Sequence, residues 1–173
     1  MTAERTGSHG RIASLDGALR RLDVGAAIVT HAPSVRYLTG FSGSSGCFYR
    51  ALSGTGLLIT DFRYEEQAGS ETSGDVEVHI SAEGWIRALA DILADADIRV
   101  AFEPEHMTVL EYDRLEERVE GAEFEPAKGL VADLRAVKDE SEIEAIGAAA
   151  RVAETALEGL LTAVEWHSEP TEL

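Results

Sequence analysis

The amino-acid sequence predicts a three-layer α/β/α domain with a mixed β-sheet, and three observations support this fold class. Short apolar runs typical of strands alternate along the chain with amphipathic helical segments, which favours a sheet covered by helices on both faces. A Ser-Gly-Thr-Gly turn joins two of the predicted strands as a hairpin, so at least one strand is antiparallel. Hydrophobic residues make up 45% of the chain, which is enough to bury a sizeable core.

The first predicted element is a helix over residues 11–22, because isoleucine and leucine recur there at helical spacing. Pro33 and Gly40 interrupt the segment after the first strand, so no helix is predicted there. Amphipathic patterns predict two further helices, over 82–96 and 108–119. Apolar or alternating runs predict six strands, at 25–30, 47–52, 56–60, 76–80, 98–102 and 123–126.

The pattern of the C-terminal residues predicts a long helix whose apolar side has no predicted element to pack against. After a short helical stretch at 129–137, Asp139 and Glu142 have the spacing of a capping box. Apolar residues then follow one side as far as Val164, and a helix of this length is stabilised mainly by packing against a neighbour. We therefore expect the front part of a larger protein. The predicted divisions are a disordered N-terminus at 1–10, an α/β domain at 11–127, and a linker with the first helix of an absent domain at 128–173.

The chain is strongly acidic, with 32 Asp and Glu residues against 15 Lys and Arg and a formal net charge of −17. Such a surface repels phosphate backbones and anionic lipids, which excludes nucleic acid and membrane as expected partners. The sequence contains no apolar run near the ~18 residues of a spanning helix and no secretory signal pattern. A lone cysteine, Cys47, suits a reducing compartment. We expect a cytoplasmic protein.

The acid excess favours adaptation to a salt-rich cytoplasm, where counterions screen the repulsion between carboxylates. An ordinary acidic protein from a GC-rich genome is the alternative. Such a genome explains why Lys128 and Lys138 are the two lysines of the chain, but it does not explain the acid excess. A halophilic protein is expected to lose its circular dichroism signal for folded structure in low salt, and full stability there would contradict this interpretation.

The titratable residues do not predict a catalytic or metal site. No pair of histidines has HxH or HExxH spacing, and Cys47 has no partner cysteine for zinc. Glu103, Glu105 and His106 lie close in sequence, but we expect them in a solvated loop between a strand and a helix. His31 lies in a loop and is expected to be exposed rather than to act as a base.

Residues 40–46 form a glycine- and serine-rich turn without the spacing of a dinucleotide fingerprint, a phosphate loop or a nucleophile elbow. The better candidates are aromatic and charged residues near the ends of predicted strands, where α/β folds build sites. The alternative is that the aromatic residues belong to the core and that the Asp and Arg pair with each other. Trp85 is expected in the core. The candidates are Tyr37, Phe41, Asp61, Arg63 and Tyr64.

Three segments stand out in the sequence: VRYLTGFSGSSG at 35–46, TDFRYEEQA at 60–68 and LRAVKDESEIEAIGAAARVAETAL at 134–157. Together they resemble the N-terminal domain of the creatinase/prolidase/aminopeptidase P family, the metallopeptidases with a pita-bread catalytic domain. The final PTEL is similar to another family motif, and the resemblance extends from residue 11 to residue 173. The chain departs from the family where Ser34 replaces a usual Asn and where 165–169 replaces a usual Pro-Gly turn, which leaves substrate preference open.

The resemblance implies a ribonuclease H-like fold and a chain without catalytic residues or metal ligands of its own. The family's two divalent ions, often Mn or Co, are held by two Asp, one His and two Glu of a catalytic domain that this chain lacks. The family's N-terminal domain packs beside that catalytic domain, contributes to a homodimer and restricts access to short proline-containing peptides.

The implied parent is an Xaa-Pro dipeptidase or aminopeptidase, and the five candidate residues would face its substrate cleft or dimer interface. A creatinase-like C–N hydrolase is one alternative. A stand-alone protein-binding module is the other, since the large subunit of the FACT histone chaperone uses a similar architecture for binding.

Overall fold

A six-stranded mixed β-sheet forms the centre of the computed structural model, which describes residues 7–164. The strands are β1 (Ala26–Val29), β2 (Cys47–Ala51), β3 (Gly56–Thr60), β4 (Val76–Ile80), β5 (Ile98–Phe102) and β6 (Ala122–Pro126). Their order across the sheet is β4-β3-β2-β1-β5-β6. Strand β2 is antiparallel to both of its neighbours, whereas the other pairs are parallel. The carboxyl ends of the five parallel strands therefore lie at one edge of the sheet.

Helices pack on both faces of this sheet. In β1, Ala27 and Val29 join the core formed with α1 and α2, whereas Ala26 and Ile28 join the core formed with α4 and α5. Because alternate residues of a strand point to opposite faces, one helical layer lies on each side, and the predicted three-layer fold with a mixed sheet is confirmed. The helices are α1 (Gly7–Leu22), α2 (Ala32–Thr39), α3 (Glu65–Glu71), α4 (Trp85–Ile92), α5 (Val109–Arg118), α6 (Ala132–Ala136) and α7 (Glu140–Ala163).

Helices α2 and α3 were not predicted. In α2, Pro33 lies in the first turn, where a residue without an N–H is tolerated and its fixed φ suits the helix. Gly40 ends the helix with a φ of 89°, and its N–H donates to the carbonyl oxygen of Arg36. A Cβ at Gly40 would lie 2.6 Å from the carbonyl oxygen of Glu71, so glycine is required there. The two residues that predicted an irregular segment are in fact the start and end signals of a short helix.

The boundaries of the α/β unit also differ from the prediction. Helix α1 begins at Gly7, so residues 7–10, predicted to be disordered, are helical. Residues 1–6 lie outside the part of the chain that the structure describes. The first compact unit ends at Val137 rather than at residue 127, because Leu130 and Val131 are buried in the core with α1 and α2.

The second unit, Lys138–Leu173, contains α7. The helix begins with the predicted capping box, in which the side chain of Asp139 accepts from Glu142 N and the side chain of Glu142 accepts from Asp139 N. Its larger apolar side chains are exposed, among them Ile143, Leu157 and Leu160. The PTEL motif and residues 165–169 lie outside the described residues. Between residues 7 and 164, no helix is both long and apolar enough to cross a membrane.

Candidate functional site

The two segments that carry the candidate residues meet at the edge of the sheet where β3 ends and β2 begins. We call them together the serine-loop surface, defined as residues 41–46 and 60–71. The hydroxyl of Thr60 donates to the carbonyl oxygen of Ser45 at 2.6 Å. The hydroxyls of Ser44 and Tyr64 are 2.7 Å apart. Segments that are separate in sequence thus form one surface, joined by hydrogen bonds.

Glu71, at the end of α3, anchors the loop. One of its carboxylate oxygens accepts the backbone N–H of Ser42 at 2.7 Å, and the other accepts the Ser42 hydroxyl at 2.9 Å. The Gln67 side chain donates to both the Ser42 hydroxyl and the Glu71 carboxylate at 3.0 Å. The N–H of Ser42 and the amide of Gln67 together lower the pKa of Glu71. Because the loop is held at both backbone and side chain, its conformation is well defined.

Phe41, Asp61, Arg63 and Tyr64 lie together at this surface. The ring of Phe41 is 1% exposed and packs edge-to-face on Tyr64, with centroids 5.7 Å apart. Asp61 accepts two hydrogen bonds from the Arg63 guanidinium, at 2.7 and 2.8 Å. This guanidinium is the main reason that the pKa of Asp61 is lowered to about 2. The Arg63 side chain remains 61% exposed, so the surface presents a cation in a fixed position.

Tyr37 occupies a different environment. It is 6% exposed, and its hydroxyl donates to the carbonyl oxygen of Leu134 at 3.4 Å. The Arg11 guanidinium lies over its ring, 4.5 Å from the centroid, and also donates to its carbonyl oxygen. Tyr37 therefore packs in the layer of α1, α2 and α6. The burial of Tyr37 and Phe41 agrees with the alternative that these aromatic residues belong to the core. The ion pair between Asp61 and Arg63 agrees with the other part of that alternative, that the two charged residues pair with each other.

The structure brings together a second group of polar residues that the sequence prediction kept apart. The prediction of a solvated loop is wrong for Glu103, which is 2% exposed and accepts from the hydroxyl of Ser34 at 3.4 Å. His31 Nδ1 lies 3.1 Å from the same hydroxyl, and the rings of His31 and His106 stack with centroids 3.7 Å apart. Glu105 is exposed, as expected.

Knowledge of the strand order would have revealed this second group. His31 and Glu103 follow β1 and β5, and these strands are parallel neighbours, so residues just after them lie close together. Strand order, which the sequence alone did not provide, was the missing information. In the described part of the chain, no group of three or more His, Cys, Asp or Glu side chains is arranged to hold a metal ion.

Trp85 was expected in the core. It is half-buried and packs against the core formed with α4 and α5.

Comparison with known proteins gives consistent matches. The family model described as the creatinase/prolidase N-terminal domain matches residues 11–137. A protein from Bacillus subtilis described as an uncharacterised peptidase, YqhT, is 32% identical over 154 residues, which cover 88% of this chain and 43% of that protein. That length exceeds the first unit, which ends at Val137, so the similarity also includes residues of the second unit.

Solved structures give the same result. An Xaa-Pro dipeptidase from Bacillus anthracis has a TM-score of 0.83 and 31% identity, over 92% of this chain and 44% of its own. The N-terminal domain of the cytoplasmic peptidase PepQ from Mycobacterium tuberculosis has a TM-score of 0.66 and 31% identity, over 72% of this chain and 97% of its own. The chain thus spans less than half the length of the longer relatives and nearly all of a relative's N-terminal domain.

Proposed function

Because the chain belongs to the creatinase/prolidase N-terminal domain family, we propose that it is the non-catalytic N-terminal domain of a longer, metal-dependent Xaa-Pro dipeptidase or aminopeptidase. The observation that carries this proposal is the similarity to an Xaa-Pro dipeptidase over 92% of the chain. In such an enzyme, two bound divalent ions, Mn or Co, would supply an activated water for hydrolysis of the peptide bond. Residues 7–164 contain no group of three or more His, Cys, Asp or Glu side chains arranged to hold a metal ion. We therefore place the ligands of these ions in the catalytic domain of the longer protein.

The exposed face of α7 supports the catalytic domain as the covalent partner. Side chains such as Ile146, Val152 and Leu161 are more than half exposed along this helix, and a helix of its length is stabilised by a neighbour that covers its apolar residues. A catalytic domain continuing from α7 would supply that cover. The same exposure argues against a stand-alone binding module.

The serine-loop surface supports a role in substrate access or in a homodimer. Arginine and large aromatic side chains are enriched where proteins bind each other, and Arg63 and Phe62 are both exposed here on a scaffold held by hydrogen bonds. Asp61 fixes the Arg63 guanidinium through two of its nitrogens. The remaining Nη1 can donate to a carboxylate, either that of a short proline-containing peptide or that of an acidic side chain on a second subunit. We place the protein in the cytoplasm, in line with the relative described as a cytoplasmic peptidase.

The longer protein encoded by the source gene provides the first test. We expect its reading frame to continue past Leu173 with two Asp, one His and two Glu at the family's spacing. The longer protein with Mn²⁺ is expected to hydrolyse Xaa-Pro dipeptides, whereas the 173-residue chain should not. A stop codon directly after Leu173 would overturn the proposal and favour a binding module. Cleavage of creatine but not of dipeptides would favour the creatinase-like alternative.

Within that same assay, Arg63→Ala is expected to lower kcat/KM by about 10- to 100-fold, or to convert a dimer to a monomer. The physical reason is the loss of a charge-assisted hydrogen bond worth about 1.5–3 kcal/mol. Arg87→Ala is the matched control, because Arg87 is similarly exposed on α4 and pairs with Asp91. Unchanged activity and oligomeric state in a folded Arg63→Ala protein would remove Arg63 from the site.

A further inference from the structure

The loops that follow the two neighbouring central strands, β1 and β5, run in opposite directions across the sheet. Strands β1 and β5 are parallel neighbours, with Ala26 opposite Val100 and Ile28 opposite Phe102. After β1 the chain passes through α2 to β2 on one side, and after β5 it passes through α5 to β6 on the other side. Chain paths that diverge in this way leave a crevice at the carboxyl ends of the strands, where α/β proteins place functional groups.

Two histidines at these carboxyl ends are in direct contact. His31, which follows β1, and His106, which follows β5, have ring planes only 7° apart and centroids 3.7 Å apart. At this distance two imidazolium rings repel each other, so the stack tolerates one positive charge much better than two. Burial lowers the pKa of His31, and the charges of His106 and Arg135 lower it further.

A buried carboxyl group, that of Glu103, is connected to the stack through Ser34. Among the described residues, Glu103 Oε2 has no hydrogen-bond partner, whereas Oε1 accepts from Ser34. Burial raises the pKa of Glu103, and the neighbouring charge of Glu105 raises it further. The positive charge of His106, the N–H of Val131 and the hydroxyl of Ser34 oppose this rise.

The Ser34 hydroxyl links the two ends of the group. It lies within hydrogen-bond distance of both His31 Nδ1 and Glu103 Oε1, so it can donate to one and accept from the other. A proton gained at one end therefore changes the hydrogen bond at the other. The hydroxyl thus joins His31 and Glu103 in one hydrogen-bonded group.

We propose that His31, Ser34, Glu103 and His106 form a proton-binding cluster that holds the loops after β1 and β5 together near neutral pH and releases them in mild acid. This inference is independent of the proposed peptidase role. Near neutral pH the lowered pKa of His31 leaves its ring uncharged, and the stack is stable. In acid, His31 gains a proton beside the positive charges of His106 and Arg135, and Glu103 becomes neutral, so the cluster becomes cationic, with Glu105 as the nearby anion.

The two pKa shifts act in opposite directions, and the release in acid follows from the shift of His31, whose ring is part of the stack. Because the pKa of His31 is lowered in the folded chain, the unfolded chain binds more protons there, and stability falls as the pH falls through the ordinary histidine value. The raised pKa of Glu103 has the opposite effect, since its protonation removes the cost of a buried charge. Mild acid, between about pH 5 and 6, is the range in which histidine clusters act as switches.

Histidine titration by NMR in the 173-residue chain tests the proposal. In the wild type we expect His31 to titrate below the ordinary histidine value, and its ring-current shift to disappear in the same step. In His106→Asn the His31 titration should move upward, because the stacked partner is gone. His79→Asn is the matched control, since His79 lies exposed on the edge strand β4, and it should leave His31 unchanged. Identical His31 titrations in wild type and His106→Asn would overturn the proposal.

Hydrogen exchange supplies a second, independent readout. The amides of Ser34 and Val35 donate to the carbonyl oxygen of His31 at 2.8 and 2.9 Å, so they report whether the start of α2 stays in place. At about pH 5 we expect these amides to be less protected in the wild type than in His106→Asn at the same pH. Equal protection in the two proteins would show that the stack does not release the loop, and the proposal would then fail.

Discussion

Replacing Phe41 with alanine is expected to destabilise the α/β unit by about 3–5 kcal/mol, the range for removing a buried aromatic side chain. Phe41 is among the largest fully buried side chains, and the glycines of its own loop fold over it. A Cβ at Gly43 would lie 2.2 Å from the Phe41 ring, so glycine backbone packs directly on the ring. Because glycine has no side chain, it cannot fill the cavity that Phe41→Ala would leave. Urea unfolding followed by circular dichroism measures the change in the free energy of unfolding.

Phe62→Ala is the matched control for this measurement. Phe62 belongs to the same serine-loop surface but is 72% exposed, so its loss should change stability by no more than about 0.5 kcal/mol. A small effect of Phe41→Ala on stability, together with a large loss of activity in the longer protein, would contradict a core role. Phe41 would then be a residue of the access surface after all.

The second large effect is expected at the ion pair between Asp16 on α1 and Arg50 on β2. Both carboxylate oxygens of Asp16 accept from the Arg50 guanidinium at 2.8 Å, and the two side chains are only 11% and 14% exposed. Asp16→Ala would leave a largely buried guanidinium without its carboxylate. We expect a loss of about 3 kcal/mol, the lower end of the range for breaking a buried pair, measured by urea unfolding.

Asp61→Ala provides the comparison, because Asp61 and Arg63 have the same two-fold hydrogen-bond geometry at an exposed position. Water and salt screen exposed pairs, so this substitution should have a much smaller effect, and one that shrinks as salt is added. The effect of Asp16→Ala should depend less on salt. Equal losses from the two substitutions would show that burial does not determine the strength of these pairs.

The sequence predicted the strands well because their apolar or alternating runs are local signals. It missed α2 because Pro33 and Gly40 are typical of loops as well as of helix ends, and local pattern does not separate the two. The burial of Glu103 could not be predicted because its partner, Ser34, is 69 residues away in sequence. The family segments located the serine-loop surface, but a motif does not tell whether Tyr37 and Phe41 face the core or the solvent. That distinction depends on packing among distant elements.

The position of β1 between β2 and β5 has a consequence for synthesis of the chain. All four residues of β1 are buried, yet one of its two neighbours, β5, becomes available only after Phe102 has been made. Until then the growing chain exposes an unpaired, apolar strand edge, which is a template for aggregation. A chaperone that protects nascent chains would therefore be needed mainly while the segment between β2 and β5 leaves the ribosome, and truncations that end before β5 should be insoluble rather than merely unstable.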